Sequence, residues 1–187
     1  MNNVVIKNFF NYEELLEINN FIQININNIK LDDPELGRVR LNLGNNLSKN
    51  IIDKLNNYAK QHNNNFIFSG CYYVEYNKKY GTPTLYIHTD TTSHTFTLDY
   101  QLDANVKWDI VVDGKNYSLQ NNDALTINVV DQAHWRPKQI FKDNEYVKMI
   151  FFHFKDINNL NPHIKTKQEM DEIRIKWHNI WENNIVN

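Results

Sequence analysis

Apolar residues recur at three- and four-residue intervals in the first third of the chain. Through the middle they shift to short alternating or continuous runs, and that change of period organises the sequence. Over 12–27, Leu15, Ile18, Phe21 and Ile22 fall on one helical face, and Asn11 is placed to cap the first turn. Ser48 precedes a second such face made of Ile51, Ile52, Leu55, Tyr58 and Ala59. Between the two, Asp32-Asp33-Pro34 and Gly37 mark a loop. From 66 to 154 the pattern predicts strands at 66–77, 84–88, 94–102, 108–112, 115–119, 124–130 and 146–154. Asp113-Gly114 is a two-residue hairpin signal, and Asn121-Asn122-Asp123 marks another turn. Beyond 155 the helical period returns, with Met170, Ile173, Trp177, Ile180 and Trp181 in one stripe that packs on the β core or on a second copy of the chain.

Many short strands without intervening helices predict a sandwich or barrel and exclude a series of βαβ units. The expected fold is α+β, mainly β. It forms one domain, 1–187, with a helical flank at 1–65, a β core at 66–154 and a C-terminal helical segment at 155–187.

Composition narrows the function classes. A chain of 187 residues that is 41% hydrophobic and 13% aromatic is globular. A formal net charge of −2 leaves no electrostatic footprint for nucleic acid, which is not expected as a partner. No apolar run has membrane length, and no leader pattern follows Met1. Cys71, the single cysteine, cannot form an internal disulfide, so a reducing, cytoplasmic setting is expected. About one residue in six is asparagine, which with abundant Ile and Lys fits an AT-rich coding genome, a virus or phage included.

The chemistry concentrates in His88-Thr89-Asp90 and His134-Trp135-Arg136, with His134 44 positions after Asp90. A single His-x-Asp triplet arises readily by chance. Placed at the end of a strand, however, residues i and i+2 point to one sheet face, which is what two ligands of a facial triad require. His134, at the start of the turn after the apolar run 124–130, is positioned to complete two imidazoles and a carboxylate. That donor set suits non-haem Fe(II), and zinc or nickel can use the same three residues. Thr89, Thr91 and Thr92 stand near enough in sequence to orient the ligands.

Four stretches carry a resemblance: Tyr76 within "YYVEYNKKYG", then "LYIHTD", "WDIVVDGKNYSLQNNDALTINVVDQAHWRP" and "EYVKMIFFHF". Over roughly 71–154 the chain resembles the Fe(II)/2-oxoglutarate-dependent oxygenases, in the branch of the prolyl 4-hydroxylases. The resemblance implies a double-stranded β-helix, a jelly-roll of cupin type, with His88, Asp90 and His134 as metal ligands and catalytic centre. It implies 2-oxoglutarate and O2 as co-substrates and hydroxylation of a C–H bond, with succinate and CO2 released. The far carboxylate of 2-oxoglutarate is then held by a cation on the strand after the distal histidine, where Lys148 lies. Arg136 competes for that role, and the long interval from His134 to Lys148 leaves both open. Tyr76 and Tyr86 are candidates to add hydroxyl hydrogen bonds.

The primary substrate stays open between a small molecule and a protein side chain. A cupin-like metal-binding module, a zinc or nickel protein without 2-oxoglutarate, and a catalytically idle descendant are the rival readings. His94 is expected at the substrate mouth or on the surface, and His153 as a structural residue. His62, His163 and His178 have no ligand geometry to offer, and Trp108 and Trp135 are expected as core or pocket walls.

Overall fold

The computed structural model describes residues 2–31, 34–90, 94–159 and 165–183. Its elements in chain order are β1 (Val5–Ile6), α1 (Tyr12–Asn25), β2 (Lys30–Leu31), β3 (Arg38–Gly44), α2 (Lys49–Lys60) and β4 (Phe66–Asn77). There follow β5 (Leu85–His88), β6 (Phe96–Ala104), β7 (Ile110–Val112), β8 (Lys115–Tyr117), β9 (Asp123–Ile127), β10 (His134–Arg136), β11 (Tyr146–Asp156) and α3 (Lys167–Asn183).

The helix starts follow from their caps. Asn11 Oδ1 accepts from the Glu14 amide at 2.9 Å while Glu14 Oε2 accepts from the Asn11 amide at 2.8 Å, so two otherwise orphaned amides of α1 are satisfied reciprocally. Ser48 Oγ caps α2 by accepting from the Ile51 amide. The β7–β8 hairpin turns through Asp113 (φ 48°) and Gly114 (φ 77°), the left-handed pair that a two-residue connection needs.

All strand pairings are antiparallel. One sheet has the order β1-β9-β6-β11-β4-β3-β2 and the other β5-β10-β7-β8. Strict alternation on β11 sorts its side chains into two cores. Ile150, Phe152 and Phe154 face α1 and α2, joining Ile18, Leu55, Leu98 and Tyr100. Val147 and Met149 face between the sheets, with Tyr76, Trp108, Ile110 and Leu125. A third cluster lies behind the smaller sheet, where α3 sets Trp177 against Trp135 with ring centroids 5.7 Å apart. Two facing sheets built from β4, β11, β6, β9 and from β5, β10, β7, β8 form the expected double-stranded β-helix.

Several expectations change. The loop read between the first two helices contains β2 and β3, which extend the larger sheet beside β4, and β1 pairs with β9. The 1–65 flank is therefore not helical throughout. His134 opens strand β10 instead of a turn, because its backbone pairs with His88 on one side and Val112 on the other. The runs read to 119 and to 130 leave the ladder at Tyr117 and Ile127. Thr91, Thr92, His163 and the side chains of Ile180 and Trp181 lie outside what is described. No helix among the described residues is long and apolar enough to cross a membrane.

Candidate metal centre

The pairing of β5 with β10 places His88 directly across from His134, with their ring centroids 4.2 Å apart. Asp90, just beyond β5, is fixed by its amide, which donates to the Val129 carbonyl at 2.7 Å. Its Oδ1 lies 3.4 Å from His88 Nε2 and 3.8 Å from His134 Nε2. The three residues offer one ligand atom each, all within 4.8 Å of one another.

The orientation of each imidazole is set by its own strand. His88 Nδ1–H donates to the Tyr86 carbonyl at 2.7 Å, and His134 Nδ1–H donates to the Gln132 carbonyl at 3.1 Å. Each bond leaves Nε2 without a hydrogen and turned toward Asp90, the tautomer a metal needs. Burial pushes the His134 imidazole down to about 4; His88 adds to this, while Asp90 and the Gln132 carbonyl oppose it. For Asp90, burial raises the pKa, but His88 and then His134, whenever protonated, outweigh it and hold the carboxyl at about 2. One neutral imidazole and an ionised carboxylate therefore stand ready. Cis donors on a first-row cation bound at about 2.1 Å are separated by roughly 3 Å, so the observed spacings fit a divalent metal after small rotations.

A cavity of about 300 Å³ opens beside the triad. One wall is basic and aromatic. Arg40 lies 4.9 Å over the Tyr72 ring, and Arg38 donates to the Tyr76 hydroxyl at 2.8 Å. Next to this wall, His94 and His153 stack with centroids 4.4 Å apart, and the His153 ring meets Tyr72 edge-on at 5.6 Å. Ser69 Oγ donates to the His153 carbonyl at 3.0 Å, so its contact with His94 Nδ1 at 3.1 Å has the imidazole as donor. Burial holds both imidazoles low, His153 at about 4. Asp99 on β6 also lines the cavity.

The other sequence candidates separate clearly. Arg136 is 1% exposed inside the β-helix, behind the lining residues. Its Nη1 donates to the Trp108 carbonyl, Nη2 reaches Met149 Sδ at 3.6 Å, and Nε has no partner among the described residues. Lys148 lies outside the cavity lining, its Nζ 3.5 Å from Asp103 and 4.6 Å over the Tyr146 ring. Tyr76 is buried edge-on to Trp108, 4.7 Å between centroids. Tyr86 is 40% exposed, and its hydroxyl donates to Glu35 at 3.3 Å, away from the cavity. Thr89 Oγ donates to Met170 Sδ and touches no ligand.

His153, expected to be structural, lines the cavity instead, because odd-numbered positions of β11 face inward. Arg38 and Arg40 were not anticipated, since their segment reads as loop. The signal was present in the alternation Arg38-Val39-Arg40-Leu41-Asn42-Leu43, whose apolar members are buried. Asp99 was likewise passed over, although it is a carboxylate within a wholly buried stretch of strand.

Compared by sequence, the chain matches no family model and no curated protein. Compared by structure, it superimposes on a prolyl hydroxylase from Trichoplax adhaerens, bound there to a hypoxia-inducible-factor peptide. The TM-score is 0.64 at 11% identity, over 83% of this chain and 84% of that one. An oxidoreductase of the 2OG-Fe(II) oxygenase family from Burkholderia pseudomallei gives 0.64 at 10% identity, over 86% and 88%. The non-haem, alpha-ketoglutarate-dependent epimerase SnoN of nogalamycin biosynthesis gives 0.61 at 10% identity, over 82% and 77%. The chain thus has the double-stranded β-helix fold of the prolyl hydroxylases and other 2-oxoglutarate/Fe(II) oxygenases.

Proposed function

We propose that this protein is an Fe(II)/2-oxoglutarate-dependent oxygenase, with His88, Asp90 and His134 as the metal ligands. The observation that carries the reading is the convergence of two Nε2 lone pairs and one ionised carboxylate at the end of β5 and β10, in a fold with that of known 2-oxoglutarate oxygenases. Ferrous iron bound there supplies a two-electron oxidation in which 2-oxoglutarate, O2 and a substrate C–H give succinate, CO2 and a C–OH.

The chain's own part is to hold and to orient. The carbonyls of Tyr86 and Gln132 fix the ligand tautomers, and Val129 and Phe151 contribute apolar lining to the cavity. For the far carboxylate of 2-oxoglutarate, Arg136 is favoured over Lys148. Its guanidinium stands beside Met149 on the closing strand, inside the β-helix, with one N–H unused. Lys148 sits on the opposite side of that strand, paired with Asp103. Tyr76 supports the site indirectly by accepting from Arg38. The substrate is a small molecule or a protein side chain that enters the cavity lined by Arg40, Tyr72, His94 and His153. Hydroxylation is the outcome favoured by the prolyl hydroxylase likeness, although an epimerase shares the fold.

The reading is tested by incubating the protein with Fe(II), O2 and 2-oxoglutarate and measuring succinate. Wild type should form succinate and His134→Ala should not. A protein that holds zinc tightly and forms no succinate would be the metalloprotein without 2-oxoglutarate.

A further inference from the structure

Asp99 lies on the inward face of β6 in a row with Thr97 and Gln101, while Phe96, Leu98 and Tyr100 face the helices. Each of its row neighbours has a partner: Gln101 donates to the Leu119 carbonyl, and Thr97 meets His153 Nδ1. Asp99 is 5% exposed and lines the cavity of the triad, yet among the described residues no hydrogen bond or ion pair reaches its carboxyl group. Leaving a buried polar group without a partner is costly, and for a charged one the cost is several times larger.

The charged groups that act on Asp99 are Arg136 on β10 and, at the triad with which it shares the cavity, Asp90 and His88. Burial raises its pKa to about 7; Arg136 opposes this, Asp90 adds to it, and His88 opposes it. A neutral carboxylic acid offers one O–H donor, and among the described residues no hydrogen bond uses it.

The closing strand does not supply the missing recognition. Its inward positions are Met149, Phe151 and His153, none of them a fixed cation. We propose that Asp99 binds the far carboxylate of 2-oxoglutarate by donating a carboxylic-acid hydrogen bond to it. This rests on the co-substrate reading above. A ligand held at the triad would bring an anionic acceptor into the cavity that Asp99 lines, where among the described residues its carboxyl has no partner. An O–H···O⁻ bond of this kind is charge-assisted and short. The ligand charge at the same time answers the buried guanidinium. Asp99 must hold its proton for this, so co-substrate binding takes one up wherever the free protein has lost it.

The test is calorimetric titration of 2-oxoglutarate into protein saturated with Mn(II), at pH 6.5 and pH 8.5, for wild type, Asp99→Asn and Asp99→Ala. The ligand is a dianion at both values. The other titratable or charged groups in or beside the cavity (His88, Asp90, His94, His134, His153, Tyr72, Arg38, Arg40 and Arg136) are common to all three proteins, so the difference between profiles reports Asp99. Mn(II) affinity measured in parallel corrects for metal loading and shows that each variant is folded. Wild type should lose about tenfold in affinity between the two pH values. Asp99→Asn, whose amide N–H donates at any pH, should change less than twofold, and Asp99→Ala should bind weakly at both. Parallel profiles for wild type and Asp99→Asn, or wild-type affinity in Asp99→Ala, would overturn the inference and leave the oxygenase reading standing. Absence of 2-oxoglutarate binding to Mn(II)-loaded wild type at both pH values would overturn the two together.

Discussion

His88 and His134 are held by the same local device: in each, Nδ1 is hydrogen-bonded to the backbone carbonyl two residues earlier, Tyr86 and Gln132 respectively. The two strands then lie in register, so the imidazoles meet at 4.2 Å with Nε2 of both directed at Asp90. The ligand geometry is a property of two backbones and needs no side-chain partner to set it. Mutations that spare β5, β10 and Asp90 should therefore leave metal affinity largely intact, whereas those that disturb the strands should reduce it.

The two candidate anchors give opposite expectations. Arg136→Met removes the buried guanidinium while keeping a side chain of similar length, and should weaken 2-oxoglutarate binding by about a hundredfold or more, as loss of a buried charged partner does. Lys148→Met removes only a half-exposed cation near Asp103 and should change that affinity less than twofold. Titration of 2-oxoglutarate into each Mn(II)-loaded variant decides between them, and the reverse order would return the anchor to the closing strand.

Acid should loosen the metal-free protein through its cavity histidines. The His153 pKa falls from 6.5 unfolded to about 4 folded, because burial, His94 and Arg40 outweigh Asp90. Between those values the unfolded chain binds more protons, so the stability that neutral His153 contributes is present above about 6.5 and is lost as pH falls toward 4. With His153 partly exposed, the discounted effect is about 1–2 kcal/mol. Urea unfolding at pH 7 and pH 4.5 should show a smaller drop for His153→Gln than for wild type, and equal drops would remove His153 from the account.

The contact between α3 and the β7–β8 hairpin is equally open to measurement. A Cβ on Gly114 would lie 2.5 Å from Trp177 Cζ3, and Gly114 already has a positive φ. Gly114→Ala should lower the melting temperature by an amount equivalent to about 1–3 kcal/mol. In the Trp177→Ala background the same change should cost only the backbone part, so the double mutant should be less destabilised than the sum of the singles. Strict additivity would show that the helix does not rest on the turn.

Much of this was legible in the sequence because local signals agreed with the global fold. Asn11 and Ser48 capped the helices they were expected to cap, and Asp113-Gly114 turned the hairpin it marked. What was missed has physical causes. The turn residues before Gly37 obscured the period-2 alternation that builds β3 and carries Arg38 and Arg40 to the cavity. Strand β11 is buried on both faces, so apolar neighbours surround Lys148 whichever way it points. Only parity with Ile150 and Phe152 shows that it faces away from the triad. Arg136, by contrast, shares parity with His134, and both are buried. Asp99 carries no sequence motif, and its significance comes from partners it lacks, which only the three-dimensional arrangement reveals.

The most direct test of the account is 2-oxoglutarate titration with and without Mn(II), in wild type and in Asp90→Ala. The account predicts binding to wild type only when Mn(II) is present, and none to Asp90→Ala under either condition. Equal binding without metal, or Mn(II) binding that leaves 2-oxoglutarate unbound, would contradict it.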